Sequence, residues 1–291
     1  MLDAVEWVLG MQNRDGGWAA FDINNDAVFL NKIPFSDMNS LSDPSSADVT
    51  GRVLEAFGLF ISTVAQHDEN TKPTTTAARA HDLTVRINSS LAPAFAYLAN
   101  TQEPDTGAWY GRWGSNYIYG TSNVLCGLSQ LHHLSQLQLH LPSSKPFPTL
   151  FSADRHLQYL ADTALNWLKK VQNPDGGFGE TLFSYTDPAL AGRGASTASQ
   201  TAWGVMGLLA FLPSGDEAVE RGVEWLVRRQ VREEGGNGAE GDAGATWQEK
   251  EYTGTGFPGF FYIGYDLYRH YFPMMALGRY YSKAVKEREG R

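Results

Sequence analysis

Gln12-Asn13-Arg14-Asp15-Gly16-Gly17-Trp18 returns almost unchanged as Gln172-Asn173-Pro174-Asp175-Gly176-Gly177-Phe178, so the chain repeats itself. Internal repetition constrains the architecture before any single element does. An amphipathic segment leads into each copy, with Trp7, Val8 and Met11 before the first and Leu165, Trp167 and Leu168 before the second. Asp-Gly-Gly then stops the helix, because glycine accepts the left-handed backbone that ends one, and an aromatic ring closes the unit. The heptapeptides are structural punctuation first.

Gln102 to Trp109 is a looser third copy. Gln230 opens a fourth, stretched by the acidic, glycine-rich run Glu233 to Gly244 before Trp247. Apolar periodicity predicts helices over Leu2 to Met11, Ala47 to about Val64, about Ala77 to Thr101 with a break near Asn88, Thr121 to Leu134, Asp154 to Val171, Ser196 to Leu212, and Asp216 to Arg228. Ser196 to Leu212 is apolar throughout and faces an interior, whereas Asp216 to Arg228 carries Val219, Val223, Trp225 and Leu226 on one face. Such alternation, with long loops between, predicts an all-α fold, an α/α barrel (toroid) of inner and outer helices. Strand signals are nearly absent. Four Gln-to-aromatic units are fewer than a closed ring needs, so an incomplete ring is expected. The chain reads as one domain, 1–291, with 141–152 and 233–246 as surface insertions.

The 291 residues suffice for a large core, with 42% hydrophobic and 12% aromatic side chains. A net charge of −9 argues against nucleic acid, whose phosphates need a basic face. A single cysteine, Cys126, excludes an internal disulfide and any multi-cysteine zinc or iron–sulfur site. The N-terminus lacks the order of a secretory signal, and no apolar run of about 18 residues is present to span a bilayer, so an intracellular, non-secreted protein is expected. Met1-Leu2-Asp3 enters a helix at once, so a preceding segment is expected.

Gly254-Thr255-Gly256-Phe257-Pro258-Gly259 matches the dinucleotide pattern G-x-G-x-x-G, but Gln248 to Glu251 is no buried strand and Phe257-Pro258 fills the place of a helix start. A glycine-rich turn that lets rings approach is the better reading. Phe257, Phe260, Phe261, Tyr262, Tyr265, Tyr268, Tyr271 and Phe272 follow. Any one ring reads as core, yet a purely packed core would use Leu and Ile, and buried tyrosine hydroxyls need partners. Rings facing a cavity offer π faces to a cation, worth about 0.5–2 kcal/mol each. His132, His133 and His140 have no carboxylate or thiol at ligand spacing and read as solvated. Asp48 and Arg52 lie one helical turn apart, where a surface ion pair is the plain reading unless the helix faces inward.

These residues resemble the squalene–hopene cyclases, within the class II triterpene cyclases. The Gln-to-aromatic units look like that family's QW repeats. Asp43-Pro44-Ser45 with Asp48-Val49-Thr50, Trp109-Tyr110-Gly111-Arg112-Trp113-Gly114, Gly194 to Thr197 with Ser199 to Trp203, and Tyr252 to Gly259 are similar to its segments, in order along nearly the whole chain. The resemblance implies an α/α barrel that folds squalene or a related linear isoprenoid in an apolar cavity. A buried carboxylic acid protonates a terminal double bond, and aromatic faces stabilise the cation through successive ring closures, with no metal or organic cofactor. In this family the acid is the middle Asp of Asp-x-Asp-Asp, a motif absent here, so the chain resembles the C-terminal half. By position, Asp48 matches a carboxylate near the acid, and Arg52 stands where many members have a His. Trp113 and Tyr119 match aromatics at the acid end of the cavity, and Phe21 matches a position that is often Tyr. Phe257, Phe261, Tyr265 and Tyr268 match rings around the middle cations, and Phe35 matches a constriction of the substrate entrance. The resemblance further implies a monotopic protein on a membrane or lipid droplet, and admits a homodimer.

Two neighbours and one different class compete with this reading. A protein prenyltransferase β subunit shares the toroid but needs a zinc site of Asp, Cys and His, which Cys126 is poorly placed to supply. An oxidosqualene cyclase differs mainly around the acid. A non-catalytic, terpenoid-binding fragment or pseudoenzyme is the third alternative.

Overall fold

A computed structural model describes residues 1–68, 75–136, 150–232 and 244–290. They form two compact units, Met1–Tyr110 with Asn123–Ala164, and Gly111–Ser122 with Leu165–Arg291. The fold class is all-α. The helices are α1 (Leu2–Gly10), α2 (Ala47–Asp68), α3 (Thr75–Thr101), α4 (Tyr117–Gln136), α5 (Leu150–Val171), α6 (Ala198–Leu209), α7 (Glu217–Arg228) and α8 (Tyr268–Glu289). Of the two stretches read as insertions, 141–149 and 233–243 lie outside the described residues, as does His140. Residues 150–152 open α5, and 245–246 belong to a strand.

Two expectations need correcting. No break occurs near Asn88: α3 runs unbroken through it and even contains Pro93. Strands are also present, as two antiparallel hairpins of β1 (Gln230–Arg232) with β2 (Ala245–Trp247) and β3 (Gly254–Phe257) with β4 (Phe261–Ile263). Each strand is three or four residues long, too short for the alternation that marks a strand in sequence.

In the unit built around α6, the expected contrast between helix types is present. Every residue of α6 is buried, whereas α7 buries only Ala218, Val219, Gly222, Val223, Trp225 and Leu226. Thr197 caps α6 by accepting from the Gln200 amide, and Asp216 caps α7 by accepting from Ala218. Lys283 of α8 donates to the carbonyl of Leu209, the last residue of α6, at 2.8 Å.

The two close copies of the repeat share one geometry, which the hydrogen bonds make explicit. In the first, Gly16 N donates to Asn13 O at 3.0 Å, Asn13 N to Gly17 O at 2.9 Å, and Gly17 N to the Asp15 carboxylate at 3.0 Å. The second duplicates this at Asn173, Asp175, Gly176 and Gly177. Gly16 and Gly176 have φ of +93° and +91°, which is why glycine stands there.

At Gln12, Gln102 and Gln172 the side-chain amide joins its own turn to another helix. Gln12 Nε2 donates to Gly16 O at 2.8 Å and Ser90 O at 2.9 Å. Gln102 reaches Gly107 O and Leu160 O, and Gln172 reaches Gly176 O and Ala218 O. The tryptophans finish the helices that precede them. Trp18 Nε1 donates to Val8 O, Trp109 Nε1 to Leu98 O, and Trp247 Nε1 to Leu226 O, in each case the carbonyl four residues before the repeat's Gln. Carbonyls in the last turn of a helix lack the regular i+4 partner and keep spare acceptor capacity, which the indole N–H fills; Val8 O also accepts from Met11 N at 3.1 Å. Trp18→Phe keeps an aromatic ring but removes the N–H together with part of the buried indole, so it is expected to lower stability by at least about 1 kcal/mol. An unchanged urea midpoint would show that the indole does not act as a cap.

Candidate functional site

The residues singled out from sequence divide between the units. Asp48, Arg52, Phe21 and Phe35 lie in the first, and Trp113, Tyr119, Phe257, Phe261, Tyr265 and Tyr268 in the second.

In the first unit, Asp48 stands in the first turn of α2, where a negative charge is favoured by the helix dipole. It is only 1% exposed, so the surface-pair reading of Asp48 with Arg52 fails. Arg52 Nη1 instead bonds the buried Glu55 carboxylate at 3.2 Å, one turn on. Burial, with Asp15 and Asp48 nearby, pushes the Tyr97 phenol above its ordinary value. Tyr97 thus belongs to the surroundings of Asp48, although it lies within a helix pattern that gave no hint of it. Phe21 and Phe35 are on the surface, 68% and 92% exposed. Ile23, Val28, Phe29, Ile33 and Leu41 of the same stretch of chain are exposed as well.

In the second unit the rings meet. Tyr119 of α4 lies 4.7 Å from Trp203 of α6, ring centre to ring centre. Trp203 meets Phe272 at 5.2 Å and Tyr268 at 6.0 Å, both edge to face. Tyr268 stacks on Tyr265 at 4.7 Å and touches Tyr271 and Phe272 at 5.7 and 5.0 Å. Phe257 and Phe261 form a separate edge-to-face pair at 5.8 Å across the β3–β4 hairpin. The glycines there serve the rings. A Cβ at Gly256 would lie 2.0 Å from the Phe261 ring, and one at Gly254 would lie 2.5 Å from that of Tyr265. The hairpin thus has no resemblance to a phosphate-binding loop. Trp203 is completely buried, while Phe261 and Tyr265 remain 41% and 43% exposed.

The hairpin is laced to the turn that carries Trp113. Ser115 N donates to Thr253 O at 2.9 Å, Thr255 N to Trp113 O at 3.4 Å, and Thr255 Oγ1 to Arg112 O at 2.5 Å. Behind that turn lies a buried polar network. Gln200 Nε2 donates to Ser115 O and Glu180 O at 3.0 and 3.1 Å, while Gln200 Oε1 accepts from Glu180 N. The Glu180 carboxylate accepts from Ile118 N at 2.9 Å and so caps α4, the helix bearing Tyr119. Glu249 does the same for α6, accepting from Ser199 N at 2.7 Å and from the Ser199 and Thr253 hydroxyls. Burial pushes both carboxyls above their ordinary values, against the pull of these donors.

Sequence reasoning passed over Trp203, Arg112 and Glu180. Trp203 sat in an apolar run that reads as core, and Arg112 inside a quoted motif next to Trp113. Glu180 gave no signal, since an acid between glycine and threonine looks like surface.

The family model of the squalene–hopene cyclase C-terminal domain matches residues 1–139 and 149–282. The chain belongs to the squalene–hopene cyclase family. Similar proteins include a squalene hopane cyclase of Aspergillus fumigatus, 47% identical over 86% of this chain and 32% of that protein. Enfumafungin synthase of Hormonema carpetanum is 45% identical over 99% of this chain and 20% of its own length. A squalene–hopene cyclase of Alicyclobacillus acidocaldarius is 41% identical over 99% of this chain and 37% of its own. The chain therefore spans between 20% and 37% of the length of these three relatives. No helix among its described residues is long and apolar enough to cross a membrane.

Proposed function

We propose that this cyclase domain folds squalene or a related linear isoprenoid against aromatic faces and stabilises the carbocations of a proton-initiated polycyclisation. One observation carries the reading: the run of touching rings from Tyr119 through Trp203 and Phe272 to Tyr268 and Tyr265, beside a hairpin that presents Phe257 and Phe261. Each ring face offers about 0.5–2 kcal/mol to a cation, more as water is excluded. Rings held by edge-to-face contacts need little reorganisation as the charge moves past them. Phe261 and Tyr265 supply partly open faces, and Trp203 fixes Tyr119 and Tyr268 from behind. The reaction as proposed needs only an acid and these faces, with no metal or organic cofactor.

The initiating proton must come from a strong, desolvated carboxylic acid. Asp-x-Asp-Asp is absent from the 291 residues. Asp48, deeply buried at the head of α2, and Arg52 are suited to tune such an acid rather than to replace it. Squalene resides in lipid, and the exposed Phe21, Phe29 and Phe35 with Ile23 and Val28 are suited to enter a bilayer surface, which supports a peripheral, monotopic association beside the substrate entrance.

Both parts are tested with the purified 291-residue chain and squalene-loaded liposomes. The chain is expected to float with the liposomes and to release no hopene or other polycycle. Recovery of the chain in the unbound fraction would refute membrane docking. Hopene in the extract would refute the placement of the acid outside these residues.

A further inference from the structure

Asn123 of α4 carries a hydrogen-bond donor to which the fold gives no acceptor. The residue is 2% exposed, and its Nδ2 meets no partner among the described residues. A buried N–H in that state is costly, and a leucine of similar shape would avoid the penalty. Glycines set its place in the first unit. A Cβ at Gly51 of α2 would lie 2.6 Å from the Asn123 carbonyl oxygen, and one at Gly127 of α4 would lie 2.5 Å from the Gly51 oxygen. The two helices therefore cross here with their backbones in contact. Asp48 stands three residues before Gly51, about 5 Å along α2. Arg52, next to Gly51, is directed onward to Glu55. The Asn123 donor thus sits at the α2–α4 crossing, one turn of α2 from the buried Asp48.

We propose that Asn123 is a positioning residue whose side-chain N–H is held for the carbonyl oxygen of the carboxylic acid that starts the reaction. The inference rests on the reading above, in which that acid comes from outside these residues and Asp48 helps to tune it. A protonated carboxyl has a carbonyl oxygen that accepts and a hydroxyl that donates. With the carbonyl oxygen bound to Asn123, the hydroxyl is left to face the isoprenoid. In the transfer the O–H bond breaks and its proton forms a C–H bond with one carbon of the terminal double bond. The other carbon becomes the cation, and the electron pair of the broken bond stays on the carboxylate. The bond from Asn123 is then charge-assisted and stronger, so it favours the state after transfer over the state before it.

An amide bonded in place and one held for an outside acceptor respond oppositely to its removal. Asn123→Leu is expected to raise the thermal midpoint of the 291-residue chain by about 2–5 °C, because the lone donor is gone. Asn123→Val, of smaller volume, is measured beside it in case leucine is too large for the site. The second arm uses acetate as the probe, on the unaltered chain carrying isotope-labelled asparagine at about pH 5. Acetate is expected to move the Asn123 side-chain amide resonance downfield to saturation, whereas sodium chloride at the same concentration leaves it in place. Either variant assigns that resonance by its disappearance. A midpoint lowered in both variants, or a resonance that acetate does not move, overturns the proposal and leaves the isoprenoid reading intact. That reading stands or falls on the flotation and extraction experiment, which does not involve Asn123.

Discussion

Trp203→Ala is expected to cost the second unit about 3–5 kcal/mol, enough to threaten its folding. Trp203 is fully buried in α6 and meets the rings of Tyr119, Tyr268 and Phe272. Alanine would leave a cavity among three aromatic side chains that are anchored on two different helices, α4 and α8, and have little freedom to collapse into it. Each lost edge-to-face pair adds about 0.5–1.5 kcal/mol to the loss of buried area. Trp203→Phe should be far milder, for a specific reason. The Trp203 Nε1 has no acceptor among the described residues, so phenylalanine removes volume but breaks no hydrogen bond. Urea denaturation followed by far-ultraviolet circular dichroism decides the matter. If alanine and phenylalanine proved equally harmful, ring packing would not be what Trp203 contributes.

The second large effect concerns Glu180. Alanine there removes the acceptor that caps α4 and leaves the Ile118 N–H buried without its partner, a combined loss of about 3 kcal/mol. The pH dependence has a definite sign. Burial raises the carboxyl in the folded state, so folding favours the neutral acid. Stability from this group is therefore complete below the unfolded value, about 4.3, and is lost as pH climbs through the raised folded value. Glu249, raised for the same reason, adds to the slope. Unfolding measured at a series of pH values upward from about 4.3 should show the unaltered chain losing stability. Glu180→Gln, which cannot ionise, should flatten that slope. A slope identical in the two proteins would mean that Glu180 does not titrate in this range.

The parts of the molecule legible from sequence were those written in a repeat or a period. The turns at Gln12 and Gln172 announced themselves because glycine and aspartate are needed there for backbone reasons that any occurrence must satisfy. The broad apolar character of Ser196 to Leu212 foretold the complete burial of α6. The hairpins were not legible. The β1–β2 ribbon pairs Gln230 with Trp247, residues separated by a long stretch, and β3 is half glycine, so neither carries strand periodicity. Nor was the continuity of α3 through Pro93, where tertiary packing overrides local propensity. Of the site, Tyr119, Tyr265 and Tyr268 were given by positional resemblance to the family, and the structure brings them into one cluster with Trp203 between. Their mutual contacts depend on helices far apart in sequence, which no local pattern encodes. The exposure of Phe21 and Phe35 was likewise not legible, since a phenylalanine in an irregular stretch reads as equally fit for a cavity wall or a surface.

The two-way bonds of the repeat glutamines have a consequence for how the protein breathes. Gln12 holds Gly16 and Ser90 with one amide group, and Gln172 holds Gly176 and Ala218 in the same way. Releasing one of the two carbonyls leaves one N–H of the shared amide without its partner, so opening at either end carries a cost at the joint. Local fluctuation at a repeat turn and fluctuation of the helix it grips are thereby merged into one cooperative event. The glutamines thereby couple the fraying of each turn to that of the helix it grips.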